Sequence, residues 1–214
     1  MPHLAYRYAF TIACAALLGL AGCQSSMSQQ GSMTSMNGRG GPMRMDRAAM
    51  DGMMSGWSAA SREAAMFMMD KYGPPAEMTA SMAVWHRTGP WKRTIVYREE
   101  VPHAFPMPHP DVMEQFIDYR VPPEMYDELA MYDGSVIAER TKGELSARCD
   151  KEGANFLAIN LAHEIATGRR TVQDARRMYA EQIMAKKEGR PAPYTERLIF
   201  TPPPSGNDPD RPAM

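Results

Sequence analysis

The sequence predicts an α+β fold: a single domain in which an antiparallel sheet of about five or six strands is packed by three or four helices. Two observations predict it. Segments whose side chains alternate in polarity, as strands with one buried face do, dominate the first part of the domain. Two segments with apolar residues every three or four positions, as in amphipathic helices, follow them. We therefore assign residues 58–200 to one folded domain.

A helix and two strands are predicted to open the domain. Ser58 or Ser61 provides the N-cap of the helix, and Gly73 ends it in front of two prolines that cannot continue it. Residues 78–85 and 91–98 are rich in β-branched and aromatic side chains and flank a Gly-Pro turn. We expect them to form a pair of strands.

A third strand, a short helix and a hairpin are predicted next. Residues 112–121 alternate between apolar and charged side chains, as a strand with one buried face does. Two prolines then start a short helix. Gly143 supplies the positive φ that a tight turn between residues 135–141 and 144–149 requires.

Two helices are predicted to close the domain. Asp150 caps the first, which Gly168 ends, and Thr171 caps the second, which Gly189 ends. Both carry an apolar stripe at helical spacing, so we expect them to pack on the sheet. Residues 201–214 contain five prolines and almost no core-forming side chain, and we expect this tail to be disordered.

The composition excludes two classes of protein. The 214-residue chain has 24 basic and 25 acidic residues, a net charge of −1 and three cysteines. Nucleic-acid binding needs a basic excess or patch, so we expect no nucleic-acid partner. Three cysteines do not provide a disulfide scaffold either.

The first 22 residues have the pattern of an export signal. Their apolar run is too short to span a bilayer, which needs ~20 residues. It ends in Leu20-Ala21-Gly22-Cys23, which resembles the lipobox of bacterial lipoproteins. The resemblance implies that Cys23 is lipidated and, because glutamine and serine follow it, that the protein reaches the periplasmic face of the outer membrane. The alternative is a secreted protein whose signal contains the same four residues.

Residues 23–57 are predicted to be a flexible tether between the lipid and the domain. They contain eight methionines and six glycines, but no leucine, isoleucine, valine or phenylalanine that would build a core. A chain of this composition and length reaches ~30 Å, which would hold a domain clear of the lipid surface.

Three short stretches of the domain carry a further resemblance. They are Lys-Tyr-Gly-Pro-Pro at 71–75, Pro-Trp-Lys-Arg-Thr at 90–94 and Arg-Thr-Lys-Gly-Glu at 140–144. On these residues the domain resembles uncharacterised proteobacterial lipoproteins of unknown function, a resemblance that implies no functional residue. The first helix and the two Trp-containing strands are also similar, in architecture alone, to small lipoproteins of the outer-membrane assembly machinery.

Methionine is far more frequent than usual, with 21 residues. Met33 with Met36, and Met50 with Met53, form pairs separated by two residues in the tether segment. Thioether sulfur is a soft ligand that suits Cu(I), so one hypothesis is that these segments bind copper or silver. The alternative is that unbranched, adaptable methionine merely serves a tolerant tether.

A proline-rich loop over residues 101–111 holds further candidate ligands, His103, Met107 and His109. Its proline spacing favours polyproline II, in which each residue rises ~3.1 Å and the two histidines would stand ~19 Å apart. Unless the loop folds back, one ion coordinated at ~2 Å cannot join them. Met107 and His109, ~6 Å apart along the axis, remain candidates for a metal site. A rigid connection or a docking loop is the alternative.

No catalytic constellation is predicted. Cys149 and His163 are of the types that form a nucleophile and its base, but a helix between them would hold them ~20 Å apart. Glu114 and Asp118 share a strand face at ~13 Å, beyond the separation of glycosidase carboxylates. We also find no cofactor motif, so the sequence predicts neither a catalytic residue nor a cofactor.

The sequence therefore predicts a lipid-anchored periplasmic lipoprotein that acts as a structural or partner-binding module. Its expected partners are the membrane and a protein of the cell envelope. Soft-metal binding through the methionine-rich segments is the second hypothesis. An enzyme whose site assembles from distant positions is the third.

Overall fold

The structure, a computed structural model, describes residues 45–214. Cys23, Met33 and Met36 lie outside the described residues, as does the export signal. The described helices are α1 (Arg47–Met53), α2 (Ala59–Tyr72), α3 (Tyr126–Tyr132), α4 (Glu152–Ala166) and α5 (Val172–Lys187). The strands are β1 (Glu77–Met78), β2 (Met82–Thr88), β3 (Trp91–His103), β4 (His109–Asp118), β5 (Val136–Glu139) and β6 (Glu144–Cys149). None of the described helices has both the length and the apolar character that a membrane span requires.

The six strands form one antiparallel sheet in the order β1-β2-β3-β4-β6-β5. The predicted α+β class is therefore confirmed. Both predicted hairpins are present: β2 pairs with β3 beside Gly89, and β5 pairs with β6 beside Gly143, whose φ is 62°. Helices α2 and α4 pack on the sheet at β3, β4 and β6, and α5 packs on α3 and α4.

Most helix ends follow from local signals. The Ser58 side chain caps α2, Gly73 ends it with a φ of 86°, and the Thr171 side chain caps α5. Helix α4 differs from the prediction, because its N-cap is Lys151 rather than Asp150 and no side chain makes a capping hydrogen bond there.

Residues 46–57 belong to the domain rather than to the tether to which the sequence assigns them. The Asp46 side chain caps α1 by accepting a hydrogen bond from a backbone N–H at 2.8 Å. Met50 and Met54 are fully buried and Trp57 is 5% exposed, in an apolar cluster with α2, β2, β3 and β4. The prediction failed because it counted only leucine, isoleucine, valine and phenylalanine as core-forming, whereas Met50, Met54 and Trp57 supply the buried side of this segment.

Met50→Ala is expected to destabilise the domain by about 2–5 kcal/mol, because it leaves a cavity in this cluster. Met53→Ala is the matched control: Met53 is 41% exposed on the same helix, so the free energy of unfolding should change by about 0.5 kcal/mol or less. Denaturant unfolding measures both. Equal free energies of unfolding in the two variants would mean that residues 46–57 are part of the tether and not of the folded domain.

A buried carboxylate joins the helices to the sheet. Glu152, the first residue of α4, is 4% exposed and accepts hydrogen bonds from Trp91 Nε1 at 2.8 Å and from the Tyr72 hydroxyl at 2.7 Å. It also pairs with Lys71 and lies 3.4 Å from Gln115 Nε2. Because these partners come from α2, β3 and β4, the carboxylate fixes how the two helices sit on the central strands.

The C-terminal tail, which the sequence predicts to be disordered, has no helix or strand, but part of it contacts the domain. Asp208 Oδ2 accepts hydrogen bonds from Arg120 and Arg140, each at 3.0 Å. Gly206 lies against the backbone of Tyr119, so closely that a Cβ there would come within 2.4 Å of it. These contacts, which proline content does not predict, hold residues 206–208 to the sheet.

Candidate metal centre

Two histidines and an aspartate converge where β3 turns into β4. His103 ends β3 and lies directly opposite His109, the first residue of β4, with ring centroids 4.9 Å apart. Asp111 follows two positions later on β4 and faces the same side of the sheet. The three residues each offer a ligand atom within 4.8 Å of the other two.

The expected separation of ~19 Å between His103 and His109 is therefore wrong. The connecting residues do not continue as polyproline II but fold back as a short turn. Phe105 anchors this turn on α5, with its ring centroid 5.1 Å from that of Tyr179 and 3.9 Å from the Arg176 guanidinium carbon. Packing of the half-buried aromatic ring outweighs the local preference of the prolines.

His109 is held so that one ring nitrogen faces Asp111. Its Nδ1 lies 2.9 Å from the backbone carbonyl oxygen of Met107, which can only accept a hydrogen bond. Nδ1 must therefore carry a proton. The other nitrogen, Nε2, lies 3.3 Å from Asp111 Oδ1. When the ring is neutral, the Nε2 lone pair is the one that faces the carboxylate.

Asp111 is buried with one oxygen paired and one not. Its side chain is 1% exposed, and Oδ2 accepts a hydrogen bond from the Ser135 hydroxyl. Oδ1 has no hydrogen-bond partner among the described residues: His109 Nε2 is near but not aligned with it. Buried carboxylate oxygens are normally paired, so Asp111 Oδ1 needs an explanation.

His103 lies between two carboxylates. Its Nδ1 is 3.7 Å from Asp111 Oδ2 and 3.3 Å from the Ser135 hydroxyl oxygen. Its Nε2 is 3.5 Å from Oδ1 of Asp133, which accepts a hydrogen bond from the Ser135 backbone N–H at 2.8 Å. One ring nitrogen therefore faces the centre, and the other faces a fixed, buried carboxylate behind it.

Nearby charges and burial set the ionisation of the centre. The Asp111 carboxylate, and after it Cys149, raises the pKa of His109 from 6.5 to about 11. Burial raises the pKa of Asp133 above its ordinary value. A metal ion that takes His109 Nε2 therefore competes with a proton that this raised pKa favours.

The donor set suits a divalent first-row transition metal. Two imidazole nitrogens and a carboxylate oxygen are ligands of Zn²⁺ and of Fe²⁺ in proteins. Catalytic zinc sites use three protein ligands of this kind and leave a further position to water or substrate. These ligands differ from the methionine thioethers that would bind Cu(I) in the copper hypothesis.

Met107 and Cys149 border the centre. Met107 contributes its backbone carbonyl to His109, whereas its Sδ lies 3.0 Å from Lys187 Nζ. Cys149 is 5% exposed, its thiol donates to Asp150 Oδ1 at 3.4 Å, and burial raises its pKa. The predicted pairing of Met107 with His109 therefore occurs through the backbone carbonyl and not through sulfur.

The methionine pair inside the described residues does not face one site. Met50 is fully buried in the core, whereas Met53 is 41% exposed. The two thioethers therefore lie in different surroundings. The other pair, Met33 and Met36, lies outside residues 45–214.

The residues considered for catalysis have separate structural partners. Glu114 accepts a hydrogen bond from the Tyr97 hydroxyl at 2.9 Å, and Asp118 forms an ion pair with Lys92 at 2.8 Å. His163 hydrogen-bonds to a tyrosine hydroxyl at 2.6 Å rather than to Cys149. The structure therefore does not bring these side chains together into one site.

Sequence reasoning sets His103 aside and does not single out Asp111, Asp133 or Ser135. One signal was available, since His109 and Asp111 are two positions apart and a strand places such residues on one face. Asp133 and Ser135 lie just before β5, and the order β4-β6-β5 in the sheet brings this part of the chain close to the centre. No local spacing in the sequence shows this order.

Comparisons of the chain with protein-family models, with curated proteins and with solved structures find no match. No residue role is therefore transferred from another protein.

Proposed function

We propose that the protein binds a divalent first-row transition metal ion through His103 Nδ1, His109 Nε2 and Asp111. The observation that carries the proposal is the convergence of the three side chains, each of which offers a ligand atom within 4.8 Å of the other two. Asp111 Oδ1 is buried, faces His109 Nε2 at 3.3 Å and has no aligned hydrogen-bond donor among the described residues. A cation bound to both atoms would take the place of the His109 proton beside this carboxylate.

The groups behind the ligands support the same function. In metal sites, a ligating imidazole usually donates its other N–H to a carboxylate or a backbone carbonyl, which fixes the ring. The Met107 carbonyl holds this position for His109, and Asp133 holds it for His103. Ser135 orients Asp111 in the same way.

A docking role of the loop has less support than metal binding. Phe105, the aromatic side chain that a partner would bind, packs against Tyr179 and Tyr132 of the same chain. The loop therefore uses its aromatic residue to shape the centre.

Zinc titration of the full chain, purified in detergent and freed of metal with a chelator, tests metal binding. We expect one zinc ion to be retained per chain in competition with a chromophoric chelator, and none in His103→Ala. His86→Ala is the control, because His86 is half exposed and pairs with Glu77 away from the centre. Absence of retained zinc, or equal retention by His103→Ala, would exclude the proposed centre.

Asp133→Asn is expected to weaken zinc binding by about 10–100-fold, because the amide loses the charge that supports the His103 ring. The same competition titration measures the affinity. Asp127→Asn is the control, since Asp127 is exposed on α3 a short distance before Asp133. Unchanged affinity in Asp133→Asn would mean that Asp133 does not support His103.

We further propose that the protein is a lipoprotein anchored to the periplasmic face of the outer membrane through Cys23. The support is the apolar run followed by Leu20-Ala21-Gly22-Cys23. Two or more acyl chains give stable anchoring, whereas one chain is marginal. Cys23→Ala should therefore move the protein from the membrane fraction to the soluble fraction. Retention of this variant in the outer membrane would contradict lipidation.

A further inference from the structure

A cavity of about 400 Å³ lies beside His109, between the β3–β4 turn and α5. Its walls are residues 106–109, the end of β6 with the residues that follow, and the C-terminal half of α5. This volume falls in the ~300–1,000 Å³ range of small-molecule sites. Of the three proposed metal ligands, only His109 borders the cavity, so metal binding does not account for it.

Part of the cavity wall is apolar. Met107, Ala154 and Ile183 line it together with Tyr179, which is 3% exposed. These side chains come from the turn, α4 and α5. They form a surface that removes an aliphatic or aromatic group from water.

The charged residues around the cavity are mostly basic. Lys151, Lys186 and Lys187 line it, and Asp150 is the carboxylate among the lining residues. Lys151 is already engaged, because it pairs with Glu63 and lies 3.9 Å from Asp150. The other two lysines therefore give the cavity its excess of positive charge.

Lys186 and Lys187 have no acidic partner within residues 45–214. Lys186 Nζ donates to the Thr195 hydroxyl at 3.1 Å, and Lys187 Nζ lies 3.0 Å from the sulfur of Met107. An ammonium group has three donors, and a thioether is only a weak acceptor. Both side chains therefore have donors available for an anion in the cavity.

We propose that this cavity binds a small amphiphilic anion, with its head group at Lys186 and Lys187 and its apolar body against Ile183 and Tyr179. A carboxylate or a phosphate serves as the head group, because both accept charge-assisted hydrogen bonds. The lysines, and not the metal, hold the ligand. Binding is therefore independent of the proposed metal centre, although His109 borders both.

Calorimetric titration of the full chain with 3-phenylpropionate, in chelator, tests this site. We expect saturable binding of one equivalent, and 3-phenylpropanol, which lacks the charge, should bind at least about tenfold more weakly. 3-Phenylpropyl phosphate tests the second head group and should bind at least as tightly as the carboxylate.

The double variant Lys186→Met/Lys187→Met removes both charges and shortens each unbranched side chain by one atom only. It should lower the affinity for 3-phenylpropionate at least about tenfold and leave that for 3-phenylpropanol unchanged. Lys142→Met is the control, because Lys142 pairs with Glu139 at the β5–β6 turn. A cooperative thermal unfolding transition at an unchanged Tm shows that the double variant is folded.

Three results would overturn the proposal: no binding of 3-phenylpropionate, equal binding of acid and alcohol, or full affinity in the double lysine variant. A repeat with zinc separates this site from the metal centre. If the acid binds only with zinc and is lost in His103→Ala, the metal holds the head group, so the cavity proposal fails while the metal proposal stands. Binding in chelator supports the cavity whatever the zinc titration gives.

Discussion

Asp111→Ala is expected to lower zinc affinity by more than about 100-fold, because it removes a ligand atom. Loss of a group that only supports a ligand lowers the affinity by about 10–100-fold. Thermal unfolding provides a second readout. Zinc at ~100 times its dissociation constant stabilises a protein that binds it only when folded by about 2.7 kcal/mol, so the Tm of the unmodified protein should rise. The Tm of Asp111→Ala should not respond to zinc.

Asp118→Ala is the matched control for this variant. Asp118 lies on the same strand as Asp111 and forms ion pairs with Lys92 and Arg87. Its loss should lower the stability of the protein, but zinc should still raise the Tm. If zinc stabilises Asp111→Ala as much as it stabilises Asp118→Ala, the metal binds elsewhere.

Glu152→Ala is expected to destabilise the domain by about 1–3 kcal/mol, measured by denaturant unfolding. The substitution removes the carboxylate to which the buried Trp91 N–H and the half-buried Tyr72 hydroxyl donate. A buried donor that loses its acceptor keeps the cost of its desolvation.

Glu63→Ala is the control for Glu152→Ala, because Glu63 is an exposed glutamate that also pairs with a lysine. A surface ion pair contributes about 0–1 kcal/mol. Equal losses of unfolding free energy in the two variants would mean that Glu152 contributes no more than a surface ion pair does. Zinc binding should persist in Glu152→Ala under conditions in which the variant is folded.

The parts of the fold that depend on local chemistry were predictable. Ser58 and Thr171 cap helices because a serine or threonine oxygen accepts a backbone hydrogen bond at a helix start. Gly73 ends a helix, and Gly143 occupies a tight turn, because each has a positive φ. The same signals place both hairpins and hence most of the sheet.

The limit of the domain was less predictable. The sequence assigns residues 46–57 to the tether because they contain no leucine, isoleucine, valine or phenylalanine. Three of them, Met50, Met54 and Trp57, are buried because they form a cluster with α2 and three strands. That cluster is a property of the assembled sheet, and the sequence shows only that the side chains are apolar.

The candidate centre depends on contacts between distant parts of the chain. The proline spacing predicts an extended loop, whereas Phe105 packs on α5, a helix that begins more than sixty residues later. That contact turns the chain so that His103 faces His109. Asp133 reaches His103 because β5 and β6 extend the sheet beside β4. Local periodicity cannot reveal either contact.

X-ray absorption spectroscopy at the zinc edge, on the full chain loaded with one equivalent of zinc, tests the metal centre most directly. We predict a shell of nitrogen and oxygen ligands at ~2.0–2.2 Å, with the outer-shell scattering of two imidazole rings. The imidazole scattering should fall in His103→Ala. A shell with sulfur at ~2.3 Å, which would point to cysteine ligation, or a protein that retains no zinc, would contradict the proposed centre.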